Sequence, residues 1–393
     1  MAEDMSIAIE LKFLIPFLPH GHAGEKQTPG PPIKEVAYIQ DARDIHDASR
    51  LKLWKDAFYS VASTIKGVAG QDAITSYELE DRGAQEWEFW ATTWIVKDSK
   101  SAEPSKEDPD SHRFIWVPVE INSPKMAWRH PGTLRLIEIV LKALRGAHHI
   151  VSNHSCEVHV HVGRLDGRAF SLPSMKRMAI LMWMAEPIMR KVKDPRSPNY
   201  DHTYTWSFAQ RDHSRLAKWI REDKTPQART RRELEGLDPA LVGYVISKKA
   251  MFPEYQKAIG HIWRAHTYVE LGKMMSGDDK PHRRLGFNFS AMGEEDERAR
   301  RSPKTIECRF LEGIIEEDVI IGWIRIFGTM VQAALNRQET QGRFAKTVLR
   351  LVDEDDQPPF AEAFHRLAED LGIDKEISKP IEVLIRRIHG EGA

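Results

Sequence analysis

The chain has 393 residues, with 57 lysines and arginines against 58 aspartates and glutamates, and two cysteines. Charged residues at 29% and hydrophobic residues at 41% are globular proportions and exclude a disordered chain. A formal net charge of -1 gives no general attraction to nucleic acid or an anionic membrane, and Cys156 and Cys308 are too few for a disulfide framework or a four-cysteine zinc site.

Residues 6–15 alternate as a strand, with Ile7, Ile9, Leu11 and Phe13 on one face and Glu10 and Lys12 on the other. The run Leu11 to Leu18 contains Lys12 and Pro16 and follows acidic residues, so it makes a poor signal peptide. No segment approaches the roughly 20 apolar residues that span a bilayer. With so few cysteines, the expectation is a soluble, cytoplasmic protein without membrane or nucleic-acid partners.

Residues 19–35, rich in Gly, Pro and His, read as a loop, and 44–69 as a helix. Strands follow at 94–96 and 113–121, around a polar insertion at 98–112. Pro131 opens a helix over 133–145 that Gly146 closes. Residues 156–163 alternate strictly as a strand. The helix at 173–192 is rich in Met, Leu and Trp, a stripe that reads as core rather than a cofactor box. Residues 194–232 read as irregular with helix near 211–222, and 239–275 as helical in pieces. Short strands at 285–289 and 305–310 precede helices at 317–336, 340–352, 359–371 and 380–389. The segment from Arg164 to Arg232 holds sixteen Lys and Arg against seven Asp and Glu, a net of +9 against -10 elsewhere. That fits either a solvated basic face or a wall toward an anionic ligand such as ATP.

Strand parity picks out the chemistry. In CEVHVHVG, Glu157, His159 and His161 face one side and Val158, Val160 and Val162 the other, as when a sheet floors a polar site. In TIECRF, Thr305, Glu307 and Arg309 oppose Ile306, Cys308 and Phe310; buried charges of this kind are paired with each other or bound to a ligand. Glu10 and Glu120 add carboxylates on two further strands. Carboxylates with an occasional imidazole suit Mg²⁺ or Mn²⁺ holding a phosphate better than Zn²⁺. Both cysteines fall on the apolar parity and read as core.

These segments resemble the amidoligase family, a branch of the carboxylate–amine ligase superfamily that includes glutamine synthetase and glutamate–cysteine ligase. IAIELKFLI resembles the opening Glu-x-Glu strand, WIVKD a Trp-x-Val segment leading to an Asp, and VEINSPKM the Glu-x-x-Ser-Pro block. SCEVHVHVG resembles the Cys-Gly-x-His-Val-His-Val-Gly strand, and EPIMRKVKDPRSPN a helix end followed by Pro-Arg-x-x-Asn. RLGFNFSAM resembles an Asn-bearing strand and TIECRFLEGII a Thr-x-Glu-Phe-Arg-x-x-x-Gly block. The seven follow in family order from about residue 6 to 335. Lys12 stands at the second Glu of Glu-x-Glu, Glu157 at a Gly, Cys308 at an aromatic residue and Ile314 at a small hydroxyl residue.

The resemblance implies an α+β fold: a curved, mainly antiparallel sheet with helices on its convex face, as in glutamine synthetase. A catalytic domain would span 1–338 and a helical appendage 339–393. It implies an ATP-dependent ligase that joins a small-molecule or peptide carboxylate to an amine through an acyl phosphate. Glu10, His159 and Glu307 would hold one Mg²⁺ or Mn²⁺, and Glu120 would help hold a second. His161 would lie near the phosphates, and Arg309 would contact the transferring phosphoryl group. Lys12, Arg284 and Asn288 are candidates for cofactor contacts, with Arg196 and Asn199 weaker ones. The Lys12 ammonium either substitutes for part of a metal's charge or abolishes one metal site. A non-catalytic ligand-binding member of the fold, or a hydrolase using a metal on His159 and His161, are the alternatives.

Overall fold

The computed structural model describes residues 4–22, 30–43, 45–107, 110–197, 200, 210–222, 231–247, 252–277, 284–293, 304–335, 341–353 and 359–391. The fold is mixed α+β with a mostly antiparallel open sheet. The chain divides into two compact units: a larger one of Met1–Ile7, Val160–Phe310 and Gly322–Ala393, and a smaller one of Ala8–His159 and Leu311–Ile321. Strands β1 (Met5–Pro19), β7 (Glu157–Arg164) and β9 (Ile306–Glu312) each contribute residues to both.

In the smaller unit, β1 pairs parallel with β2 (Lys34–Val36). Strand β3 (Ala73–Thr75) pairs parallel with β4 (Trp94–Asp98), and β5 (Ile115–Asn122) runs antiparallel between β4 and β1. A two-residue strand, β6 (Met126–Ala127), also pairs with β1. The alternation of β1 is realised: Ile9, Leu11 and Phe13 are at most 1% exposed. Helix α1 (Asp47–Lys66) packs on β3, β4 and β5, and also against α3 (Gly132–Ala147). It buries Leu53, Phe58, Val61 and Ile65. Between β3 and β4, α2 (Ser76–Arg82) opens on a capping box, Thr75 with Glu78, and closes on Gly83 with φ of 61°. The left-handed backbone there favours glycine.

Two local expectations are corrected here. Gly146 does not close α3, because its backbone stays helical and His148 is the extended residue that ends the helix. The end of the proposed loop 19–35 overlaps β2, whose three residues are too few to show an alternation.

His148 is buried, with Nε2 3.0 Å from Thr64 Oγ1 of α1. Burial, and then the Lys34 charge, push its imidazole down to about 4. The folded chain therefore holds this ring neutral while the unfolded chain takes up a proton below about 6.5. Its contribution is full above about 6.5 and is lost as the pH falls toward 4, up to about 3 kcal/mol. A His148→Gln variant should lose less stability than the wild type between pH 6.5 and 4.5 in denaturant titrations. A wild-type–variant difference independent of pH would contradict this.

In the larger unit, β7, β9 and β8 (Phe287–Asn288) are neighbours, and β8 runs antiparallel to β9. Helix α4 (Leu172–Met189) is central, and its Met175, Met178, Met182 and Met184 are all buried, as expected for a core stripe. Helices α5 (Gln210–His213), α6 (Arg215–Glu222), α7 (Pro239–Ile246), α8 (Pro253–Arg264) and α9 (Tyr268–Met275) follow, with α5, α8 and α9 packed on α4. A short α10 (Ser290–Gly293) packs on α9.

Helix α11 (Glu317–Leu335) is long and apolar enough by composition to cross a membrane, which corrects the expectation that no segment is. Its Trp323, Ile324, Phe327 and Val331 are buried within the fold, the pattern of a core helix. The C-terminal helices α12 (Gln341–Asp353), α13 (Phe360–Leu371) and α14 (Lys375–His389) belong to the larger unit, where α12 and α13 pack on α4.

Candidate active-site residues

Register builds the charged cluster of the smaller unit. Across the antiparallel ladders, Lys12 of β1 lies opposite Glu120 of β5, and Glu120 lies opposite Lys97 of β4. Directly opposed residues share one face of the sheet, so these side chains form a row in which basic and acidic groups alternate. Lys97 Nζ is 3.3 Å from Glu120 Oε1 and 2.9 Å from Glu86 Oε2. Lys12 Nζ is 2.7 Å from Oε2 of Glu157, which extends the alternation to a fourth member. That same oxygen is 3.0 Å from Nε2 of His159, whose Nδ1 is 2.9 Å from Glu10 Oε2.

Lys12, Glu120, Glu157 and His159 are all buried, while Glu10 is half-buried. Burial first, and then the Glu10 charge, push the Glu120 carboxyl up to about 8, with Lys97 pulling the other way. Burial alone would lower the Lys97 ammonium. The surrounding Glu120, Glu86 and Glu10 outweigh it and raise Lys97 above its ordinary value.

Glu10 and His159 offer an oxygen and an imidazole nitrogen side by side, a donor pair that fits Mg²⁺ or Mn²⁺. Both nitrogens of His159 already face carboxylates, so an ion would replace one of these bonds. Glu120 fits an ion poorly. A divalent cation there would be repelled by the Lys97 ammonium, whose Nζ lies 3.3 Å from Glu120 Oε1.

The larger unit holds the second set. Glu307 of β9 lies opposite Asn288 of β8, and Asn288 Nδ2 donates to Glu307 Oε2 at 2.6 Å. The amide is oriented by the Ser290 N–H, which donates to Asn288 Oδ1 at 2.9 Å. Arg309 Nη1 donates to Glu307 Oε1 at 2.5 Å, and both side chains are buried. His161 Nε2 is 3.9 Å from the same Oε1, and its Nδ1 is 3.4 Å from Thr305 Oγ1. Gly163 permits this approach of β7 to β9, since a Cβ there would meet Thr305 Cγ2 at 2.9 Å.

The remaining candidates divide. Arg284 is half-buried just ahead of β8. Arg196 is exposed and bonds Asp194 through Nε and Nη2, a local surface pair. Asn199 lies outside the described residues. Cys156 and Cys308 are buried free thiols, and burial pushes both up, Cys156 to about 11. They are thus poor nucleophiles, as their strand parity predicts. Lys97 and Glu86 were not singled out from the sequence. The only signal was a lysine directly after the three apolar residues that open the strand WIVKD.

Residues 53–235 match a family model described as "Putative amidoligase enzyme". The match covers just under half of the chain and supports an amidoligase-type enzyme. It includes Lys97, Glu120, Glu157, His159 and His161, while Glu10, Lys12, Asn288, Glu307 and Arg309 lie outside it. No curated protein matches the chain.

Proposed function

We propose that the protein is an ATP-dependent ligase that joins a carboxylate to an amine, with a glutamine synthetase-like catalytic fold. The observation that carries this reading is Glu307, held between the Asn288 amide and the Arg309 guanidinium beside His161, in a chain with an amidoligase match. The acid and the amine are small molecules or peptides, and the reaction belongs to the cytoplasm.

A carboxylate resists amine attack because its oxygen is a poor leaving group. One carboxylate oxygen attacks the γ-phosphorus of ATP, the bond to the β-bridging oxygen breaks, and ADP leaves. The amine then adds to the carbonyl carbon of the acyl phosphate, loses a proton, and expels phosphate with the electrons of the C–O bond. Most of the work is charge neutralisation and alignment. Arg309, pre-oriented by Glu307, would stabilise charge on the transferring phosphoryl group. His161 would donate to a phosphate oxygen, and Arg284 and Asn288 would position phosphate or substrate. Glu10 and His159 in the smaller unit, and Glu307 in the larger, are each proposed as ligands of Mg²⁺ or Mn²⁺, which when bound would neutralise phosphate charge.

Phosphate release from ATP with Mg²⁺, measured over a panel of amino acids and short peptides, should require both an acid and an amine. Glu307→Ala should lower it about 100-fold or more. Full activity in that variant would remove Glu307 from the mechanism.

The Lys12–Glu157 pair favours a second reading, a non-catalytic nucleotide-binding member of the same fold. Calorimetric binding of ATP with no turnover for any acid and amine would support it, and turnover would reject it.

A further inference from the structure

The charge row of the smaller unit has no obvious use as a set of metal ligands. Its four members are Lys97, Glu120, Lys12 and Glu157, two lysines and two glutamates in strict alternation. Each carboxylate contacts an ammonium, Glu120 with Lys97 at 3.3 Å and Glu157 with Lys12 at 2.7 Å. Lys12 is deeply buried, where a lone ammonium is strongly disfavoured, and so is the Glu157 that faces it. Lys97 is fixed from a second side by Glu86. The two lysines are therefore anchored rather than swinging through the site.

We infer that Lys12 and Lys97 are resident cations of this face, taking the place of a divalent ion at Glu120 and Glu157 and confining metal binding in the smaller unit to Glu10 and His159. The inference rests on the ligase reading for its chemical setting and departs from the sequence expectation that Glu120 holds a second ion. The physical reason is charge. A carboxyl group that already faces an ammonium gains little from a divalent ion, and that ion would face the ammonium's repulsion. Glu10 differs because, besides its hydrogen bond with Glu120, it contacts an imidazole, which can itself be a ligand. The consequence for function is fixed positive charge that needs no free metal. A nucleotide phosphate or substrate carboxylate reaching this face would meet lysines whose occupancy does not vary with Mg²⁺ concentration.

The test is Mn²⁺ binding by isothermal titration to the full chain, without nucleotide, acid or amine. Lys12→Met removes one cation while keeping the side chain's bulk. It should bind one more Mn²⁺ per chain than the wild type, and Mn²⁺ should raise its melting temperature more. Lys97 is less buried, so Lys97→Met keeps the test available should Lys12→Met fail to fold. It should bind Mn²⁺ at least ten-fold more tightly. Glu120→Gln should leave the wild-type Mn²⁺ stoichiometry unchanged, and Glu10→Gln should weaken binding at least ten-fold. Unchanged Mn²⁺ binding in both lysine variants would overturn the inference, as would loss of an ion in Glu120→Gln. Because no turnover is measured, these outcomes are separate from failure of the ligase reading, which would appear only as absent ATP cleavage.

Discussion

Lys12→Met should destabilise the protein by about 3–5 kcal/mol, and Glu157→Gln in the same chain should recover most of that loss. Glu157 is 2% exposed and its Oε2 is shared between the Lys12 ammonium and His159. Removing the ammonium strands a carboxylate whose desolvation is no longer offset. Removing both charges leaves a neutral amide that can still accept from His159. The double variant is thus the informative one, since its coupling energy separates the pair from the packing of either side chain. Denaturant unfolding of the wild type, both single variants and the double variant measures it. Additive losses would mean that the two charges do not support each other.

Arg309→Ala should produce the second large effect, on both stability and turnover. The guanidinium and Glu307 are both buried and meet at 2.5 Å, so truncation leaves Glu307 with the Asn288 amide and the more distant His161. The stability loss is of the same order, about 3–5 kcal/mol. Turnover should fall about 100- to 1,000-fold, the usual cost of removing one donor aimed at developing charge. Arg309→Lys separates the two effects. It keeps a cation beside Glu307 and so most of the stability, yet it lacks the planar fork that bonds carboxylate and phosphoryl oxygens together. Wild-type turnover in Arg309→Lys would show that Arg309 serves only as a structural counter-ion.

The chemistry-bearing residues were legible in the sequence where motif and strand coincided. Glu157, His159 and His161 sit two apart on β7, and Glu307 and Arg309 two apart on β9, so a period of two was enough to separate polar from apolar faces. The apolar faces came out as read, with Val158, Val160, Cys308 and Phe310 buried. What the sequence hid was register. Lys12 and Glu157 are 145 residues apart and each looked like an isolated departure from a family pattern, whereas in the fold they compensate one another. Lys97 escaped notice because nothing local announces that it lies opposite Glu120.

The shorter elements were hidden for a different reason. Strands β2 and β3 have three residues each, below the length at which alternation can be recognised. The last helix begins earlier than the expected 380. Asp374 in fact caps it at the Glu376 N–H, and Pro380 is accommodated inside.

The central proposal is that ATP activates a substrate carboxylate by forming an acyl phosphate. Its most direct test is oxygen transfer, using a turned-over acid labelled with ¹⁸O in its carboxylate together with ATP, Mg²⁺ and the amine. The released phosphate should carry one ¹⁸O atom per amide formed, because the carboxylate oxygen that attacked phosphorus departs with it. Phosphate carrying oxygen from solvent water, or product formed without ATP cleavage, would contradict the proposal.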